Sequence, residues 1–442
     1  MSIQAYMGMV GNVDFGTDER PLDWRTGLFR RYPNGKAQLT ALTAIMPKEV
    51  TEDSKFNFWV KHFPRQGGEF TPTEIYKNAA LTTKYAHSPA AAAEQVLYIK
   101  AAEAVIQHFR PGHQVLIRLS TNGLLDTVGE CVDRVLNGAK SYIAVRLLEA
   151  DLGGVGERHA GVWLDDADTI MVSGNINTDG GEMPQAISYR PTKLYNATQS
   201  FRTPVEITGR ALATTNLRTG DSFIEQKREA SEMHAVEIEQ ALWNGPYYDG
   251  TGSNGKELTT TRGVRRQILE DNPELYFDFR TIDDAAFNGK TFNVAGWEFL
   301  EMIFEIIYRQ GDDEKLCFLG SGALAGLNAM AMSMGTFQLT KAQRAFGIRV
   351  KEWINTFGLL DLKLHPLMSQ DPTDRNKMVI IEPRHLRYRY MKNRDTHYEA
   401  DREANGLDGK QGEYMTDCGL EYHFTDGSAI IDGIGATNTN GD

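Results

Sequence analysis

Apolar and polar positions fall into different periods along this chain, and the longest regular stretch is Thr219 to Trp243, TGDSFIEQKREASEMHAVEIEQALW. Ile224, Ala235, Ile238 and Leu242 share one helical stripe, flanked by Phe223, Ala230, Met233 and Ala241. Glu225, Glu229, Glu232 and Glu239 fall on another face, beside Lys227 and Arg228. Ser222 and Glu225 have capping-box spacing, and Asp221 offers a second cap oxygen. Asn244-Gly245-Pro246 ends the pattern, with Gly245 expected in the left-handed conformation after the last turn. The stretch predicts a helical rod of roughly 35 Å, apolar on one side and acidic on the other.

Before this rod the pattern changes twice. Residues 1–55 are rich in Gly, Pro and charge and predict an extended arm. Residues 56–113 read as a helical segment, with helices at Thr73 to Tyr85 and Ala90 to Phe109 and a stop at Pro111-Gly112. From Gln114 the period is two: Val115–Leu119, Ile143–Leu147 and Thr169–Val172 predict strands, making 114–190 a β-rich excursion. After the rod, Gly250–Arg262 reads as a polar loop, Val294–Gln310 and Ser321–Met334 as helices, and Lys315–Gly320 as a buried strand. Ile348–Ile354 and Leu360–His365 predict a hairpin through Asn355–Gly358. Met378–Ile381 is a buried strand and Leu386–Tyr390 alternates again. Leu420–Phe424 and Ala429–Ile431 predict a last strand pair, followed by a frayed tail. No period of 20 to 50 residues suggests a repeat array.

Composition narrows the class. With 41% hydrophobic and 24% charged residues, a packed fold rather than disorder is expected, and 442 residues suit about three domains or one large fold with insertions. A formal charge of −12 argues against a phosphate-binding surface made from the whole protein, though not against a protein that surrounds nucleic acid without sticking to it. Cys131, Cys317 and Cys418 are far apart, which points to a reducing compartment. Neither a signal peptide nor a membrane-length apolar run is evident.

Chemical motifs are thin. Gly250-Thr-Gly252-Ser-Asn-Gly255 matches GxGxxG but follows a helix and precedes no helix start, so it reads as a loop. Asn288-Gly-Lys-Thr291 lacks the first Gly of a P-loop. The histidines form no metal motif, and a Pro-Gly turn separates His108 from His113. Asp165, Asp166 and Asp168 lack the Gly and distal Glu of a calcium loop. Gly320-Ser321-Gly322 is not a nucleophile elbow. No catalytic, cofactor or metal site is expected.

One resemblance covers most of the chain. Asn196-Ala-Thr-Gln-Ser-Phe201-Arg-Thr-Pro204 through Gly209, then Arg218-Thr-Gly-Asp221 and the acidic helix ending Glu239-Gln-Ala-Leu242-Trp-Asn-Gly245, resembles major capsid proteins of tailed bacteriophages. Thr261–Val264, Val379–Pro383 and Gly419–Tyr422 follow in the matching order. The resemblance implies an α+β fold of the Hong Kong 97 type: N-terminal arm, extended β loop within 114–190, peripheral domain over 191–294 and 378–435 with a spine helix at 220–243, axial domain over 295–377, and tail 436–442. It implies a non-enzymatic chain that self-assembles as hexamers and pentamers into an icosahedral shell around double-stranded DNA, in the virion, after assembly in the host cytoplasm. Implied partners are further copies, portal, scaffolding and decoration proteins, and packaged DNA held non-specifically, with no membrane. Assembly contacts are expected at Phe201, Arg202, Arg218, Glu225, Arg228, Glu232 and Glu239. The acidic face of the spine is either solvated or turned to packaged DNA. No Lys–Asn cross-link is expected. Two other readings stay open: an encapsulin-like nanocompartment shell, and a cytoplasmic nucleotide-dependent enzyme using the Gly250–Gly255 loop.

Overall fold

The computed structural model describes residues 43, 45–62, 66–121, 125–151, 162–180, 183–214, 222–334, 343–345 and 348–439. The chain divides into two compact units, Met1–Val60 with Lys193–Asp442, and Lys61–Thr192 between them in sequence.

The first unit runs β1 (Lys48–Thr51), β2 (Lys55–Val60), β3 (Thr192–Ala197), β4 (Gln199–Thr208), α1 (Ser222–Asn244), β5 (Tyr248–Thr251), β6 (Glu257–Thr260) and α2 (Val264–Asp271). It continues through β7 (Tyr276–Asp278), α3 (Phe292–Ile307), β8 (Glu314–Leu319), α4 (Ser321–Met334), β9 (Gln343–Ala345), β10 (Ile348–Ile354) and β11 (Leu359–Leu364). It closes with β12 (Met378–Ile381), β13 (Leu386–Met391), β14 (His397–Glu399), β15 (Gly409–Tyr422) and β16 (Ala429–Asp432). Two mixed sheets result. One has the order β1-β13-β15-β4, with β14 also on β15; the other has the order β7-β16-β12-β8-β11-β10-β9.

On one face of the seven-stranded sheet lies α3, which buries Phe292, Ala295, Phe299, Ile303 and Ile307 at helical spacing against Cys317, Leu319, Ile380 and Ile431. The opposite face of the same strands presents Leu316, Phe318, Val379 and Ile381 to a core shared with α1, α2 and the five-stranded sheet. Helix α1 therefore packs against two sheets in turn. Its middle turns bury Ala230, His234 and Ile238, and its last turns bury Glu239, Leu242 and Trp243. This corrects the single-stripe expectation: Ile224 is 65% and Met233 58% exposed, because the buried direction rotates as the second sheet arrives. The helix end differs as well. Gly245 is not left-handed. Instead it lies against another backbone, since a Cβ on it would come within 2.5 Å of both the Ala241 and Thr261 carbonyl oxygens.

The hairpin expected at 348–365 forms, with Ile354 opposite Leu359. The last expected pair does not. Strand β15 stays with β4 and β13, whereas β16 crosses to the seven-stranded sheet between β7 and β12. Both strands bury successive residues on both faces, and two separate cores satisfy that better than one hairpin. By the same step β12 and β16, expected beside the spine helix's sheet, become central strands of the other one. The tail expected to fray is pinned as far as residue 439: Asn438 Nδ2 donates to the carbonyls of Phe279 and Ile282.

The second unit is a seven-stranded antiparallel sheet, with Gly67–Glu69, Thr169–Asn175, His113–Arg118, Asp126–Val135, Tyr142–Leu147, Val96–Lys100 and Ile75–Tyr76 side by side. Its core of Leu97, Ile99, Val115, Ile117, Ile143, Val145 and Ile170 is its own. The β-rich region thus begins at Lys61 rather than 114. The helices expected over 73–85 and 90–109 reduce to the single turn Glu103–Ile106. Val96–Lys100 instead pairs with Tyr142–Arg146 and buries Leu97 and Ile99 in strand alternation.

Candidate functional site

The residues expected to make assembly contacts fall into three environments. Phe201 and Glu239 are interior groups, which corrects their assignment to a surface. Phe201 alternates inward on β4 with Thr203, Val205 and Ile207, and joins the core beneath α1. Glu239 is 0% exposed. Its Oε1 accepts from Trp243 Nε1 at 3.1 Å and meets His365 Nε2 at 3.2 Å, and its Oε2 accepts from the Thr43 N–H at 3.5 Å. His365 Nδ1 accepts from the Met368 N–H at 3.4 Å, and Trp243 Nε1 also lies 3.0 Å from His365 Nε2, so the three side chains close into one buried polar cluster. Glu239 thus ties the long helix to the end of β11 and to the chain entering at Thr43. An acidic residue at a helical position gave no sign of this, because its partners lie 126 and 196 residues away in sequence.

Glu225, Arg228 and Glu232 lie on the more open side of α1. Arg228 reaches Glu232, one turn on, at 3.4 Å, a pairing worth about 0.5 kcal/mol in such a setting. Arg218 lies outside the described residues.

Arg202 opens onto an extended polar surface, the face of the five-stranded sheet turned away from α1. There β4, β13, β15 and β1 carry Arg202, Arg387, Arg389 and Glu49 on alternate positions over a buried row of Glu413, Asp417 and Glu421. Arg202 grips Glu413 through Nε at 2.8 Å and Nη2 at 2.7 Å, and Arg402 adds a contact at 3.3 Å. Arg394 pairs with Asp417, and Arg389 with both Glu421 and Glu49. The Arg202 hydrogen bond holds the Glu413 carboxyl below its ordinary value. Burial pushes Glu421 up, but hydrogen bonds from His423 and Arg389 outweigh it and the net shift is down. The alternating Leu386–Tyr390 run carried the arginines in plain view, and only the fold shows their partners.

This face sets an acid dependence. In the second unit Glu74, hydrogen-bonded by Lys100, is likewise held down to about 2. Such carboxyls titrate lower folded than unfolded, so their stabilisation is complete above about 4.5 and is lost as pH falls through their folded values. Burial also holds His113 and His234 below 6.5, which has the same sign, because charging them inside the fold costs stability. The melting temperature is expected to decline gently below about pH 6.5 and steeply below about pH 4.5. A value unchanged between pH 7 and pH 3 would show that these pairs do not stabilise the fold.

The remaining motifs are structural. Gly250–Gly255 runs through the tip of the β5–β6 hairpin, where Gly252 and Lys256 bond across the turn and Gly255 has φ +74°. A strand follows instead of a helix, so the helix N-terminus that a pyrophosphate requires is missing there. Asp168 accepts from the Ser120 N–H and hydroxyl, Asp165 meets His87, and Asp166 accepts from the Trp163 N–H. Among the described residues no group of three or more His, Cys, Asp or Glu is placed to hold a metal ion. Burial pushes the Cys131 and Cys418 thiols up to about 12, away from reactivity.

Comparison with known proteins supplies what the geometry lacks. The chain is 23% identical over 432 residues to a major capsid protein of Pseudomonas phage PaMx41, covering 92% of this chain and 91% of that one. Similar solved structures include Microbacterium phage Oxtober96 (9% identity, 96% and 98% of the two chains, TM-score 0.43). The satellite phage P4 procapsid is another (13%, 60% and 80%, 0.38), as is the holo-SrpI encapsulin complex from Synechococcus elongatus PCC 7942 (14%, 58% and 79%, 0.37). The family description SU10 major capsid protein matches residues 35–435, and the chain belongs to that family.

Proposed function

We propose that this chain is the head-shell subunit of a tailed phage, assembling as hexamers and pentamers into an icosahedral shell around double-stranded DNA. The family match over 35–435 carries the reading. The order of elements supports a Hong Kong 97-type arrangement. In it α1 is the spine, β1, β4 and β13–β15 form the peripheral sheet, the seven-stranded sheet is axial, and Lys61–Thr192 occupies the extended-loop position. The arm expected over 1–55 lies outside the described residues as far as residue 42. Portal, scaffolding and decoration proteins are the expected partners, and the host cytoplasm the place of assembly. No helix among the described residues is long and apolar enough to cross a membrane. Of the residues singled out in the sequence, Arg202, Arg218, Glu225, Arg228 and Glu232 remain the proposed contact positions.

Negative-stain microscopy and sedimentation of the purified chain test this. Closed shells or capsomer rings tens of nanometres across, with DNA inside particles made during infection, are expected. Shells enclosing an enzyme instead would favour a nanocompartment. A discrete monomer that binds a nucleotide would overturn the proposal.

A further inference from the structure

Strand β2 alternates Phe56, Phe58 and Val60 inward with Lys55, Asn57 and Trp59 outward, and its partner β3 turns Lys193 and Tyr195 outward. The inward side has a small core, Phe56, Phe58 and Val60 with Leu194 and Phe424. The outward side leaves Trp59 64% exposed. The β5–β6 hairpin is tied to this ladder: Lys55 pairs with Asp249 at 2.8 Å and Glu257 at 3.2 Å, and the Thr259 hydroxyl donates to the Thr198 carbonyl. Tyr247 meets Tyr195 edge-on at 5.2 Å, and Tyr248 and Leu258 are exposed on the hairpin. Large aromatic side chains left together in water mark an interaction surface, and Trp and Tyr are the types that carry most binding energy.

We infer that this aromatic face of the β2–β3 ladder and its hairpin is one half of a subunit contact, its partner an acidic surface on a second copy of the chain. Charge names the occupant. Lys55 is neutralised by Asp249 and Glu257, but Lys193 and Lys256 are exposed and have no ion pair among the described residues. These two ammonium groups flank the aromatics on a chain with 59 Asp and Glu against 47 Lys and Arg, so acidic side chains that complement them are in excess on another copy. The contact is between unlike surfaces, which closes into rings when the rotation allows, as a capsomer requires. A two-stranded ladder with so small a core also gains most from cover on its open side.

The inference rests on the shell-forming reading, and the test separates the two. The full chain is compared with the variants Trp59→Ala/Tyr195→Ala and Lys193→Glu/Lys256→Glu, by sedimentation for assembly and circular dichroism for folding. Both variants are expected to melt as the unaltered chain does, and to yield shells or rings at least about tenfold less well. Unaltered yields from both would overturn the inference while leaving the shell reading intact. Should the aromatic variant misfold, the charge reversal on exposed side chains decides. Failure of the unaltered chain to assemble, alone or with its scaffold, would instead count against the shell reading.

Discussion

Replacing Lys315 with Met is expected to destabilise the unassembled subunit by about 3–5 kcal/mol in urea denaturation. Lys315 on β8 is buried, with its ammonium against the Glu382 carboxylate, which is buried as well. Glu382 also meets His385 Nε2 at 3.2 Å, and Tyr308 lies 5.2 Å from the ammonium. Burial drives the lysine pKa down, against the pull of Glu382. Without the lysine, the carboxylate keeps its desolvation cost and loses its main counter-charge. Lys315→Met/Glu382→Met removes both charges and is expected to recover most of the loss, since isosteric apolar pairs often match buried ion pairs. A cost below about 1 kcal/mol for Lys315→Met would show that water reaches the pair.

Gly263→Ala is expected to cost about 2–3 kcal/mol, the range of a forced overpacking. A Cβ at Gly263 would come within 2.7 Å of the Trp243 carbonyl carbon and 2.9 Å of the Ala241 oxygen, all of it backbone that no rotamer change can clear. The Gly263 N–H donates to the Gly245 carbonyl at 2.8 Å, so the end of α1 and the start of α2 cross here with no side chain between them. Trp243 and Glu239 sit in the last turns of α1, so a shift here also disturbs the contact to His365. Gly252→Ala is the control. Its nearest neighbour is the Asn254 side chain at 3.3 Å, and the change is expected to stay within about 0.5 kcal/mol. Equal melting temperatures for the two variants would show that the crossing has slack.

How much of this could be read from the residues depends on where each segment finds its partners. The long helix and the 348–365 hairpin were legible because their patterns close locally. The helical reading of 90–109 failed for the opposite reason: its alanines favour a helix weakly, while pairing of Val96–Lys100 with Tyr142–Arg146 supplies tertiary contacts that override the preference. Asp126–Val135 went unread because a register shift between Cys131 and Asp133 breaks its alternation. Glu239 looked like part of a solvated acidic face because its counter-groups are remote in sequence. The row formed by Glu413, Asp417 and Glu421 was hidden likewise, since a charge on a strand does not announce that arginines from neighbouring strands will cover it.

The second unit enters the chain after Val60 and leaves it at Thr192, on adjacent strands of one ladder whose other end is closed by the Thr198 N–H to the Ser54 carbonyl. Paired strands lie about 5 Å apart, so the two cut points can be joined by a tight turn as readily as by the 132 residues of Lys61–Thr192. The insertion is therefore a parenthesis in the polypeptide. It carries its own core, and opening or closing it requires no rethreading of either sheet of the first unit. A foreign domain with neighbouring termini could be exchanged for it there, turning a shell subunit into a scaffold for displaying many copies of something else.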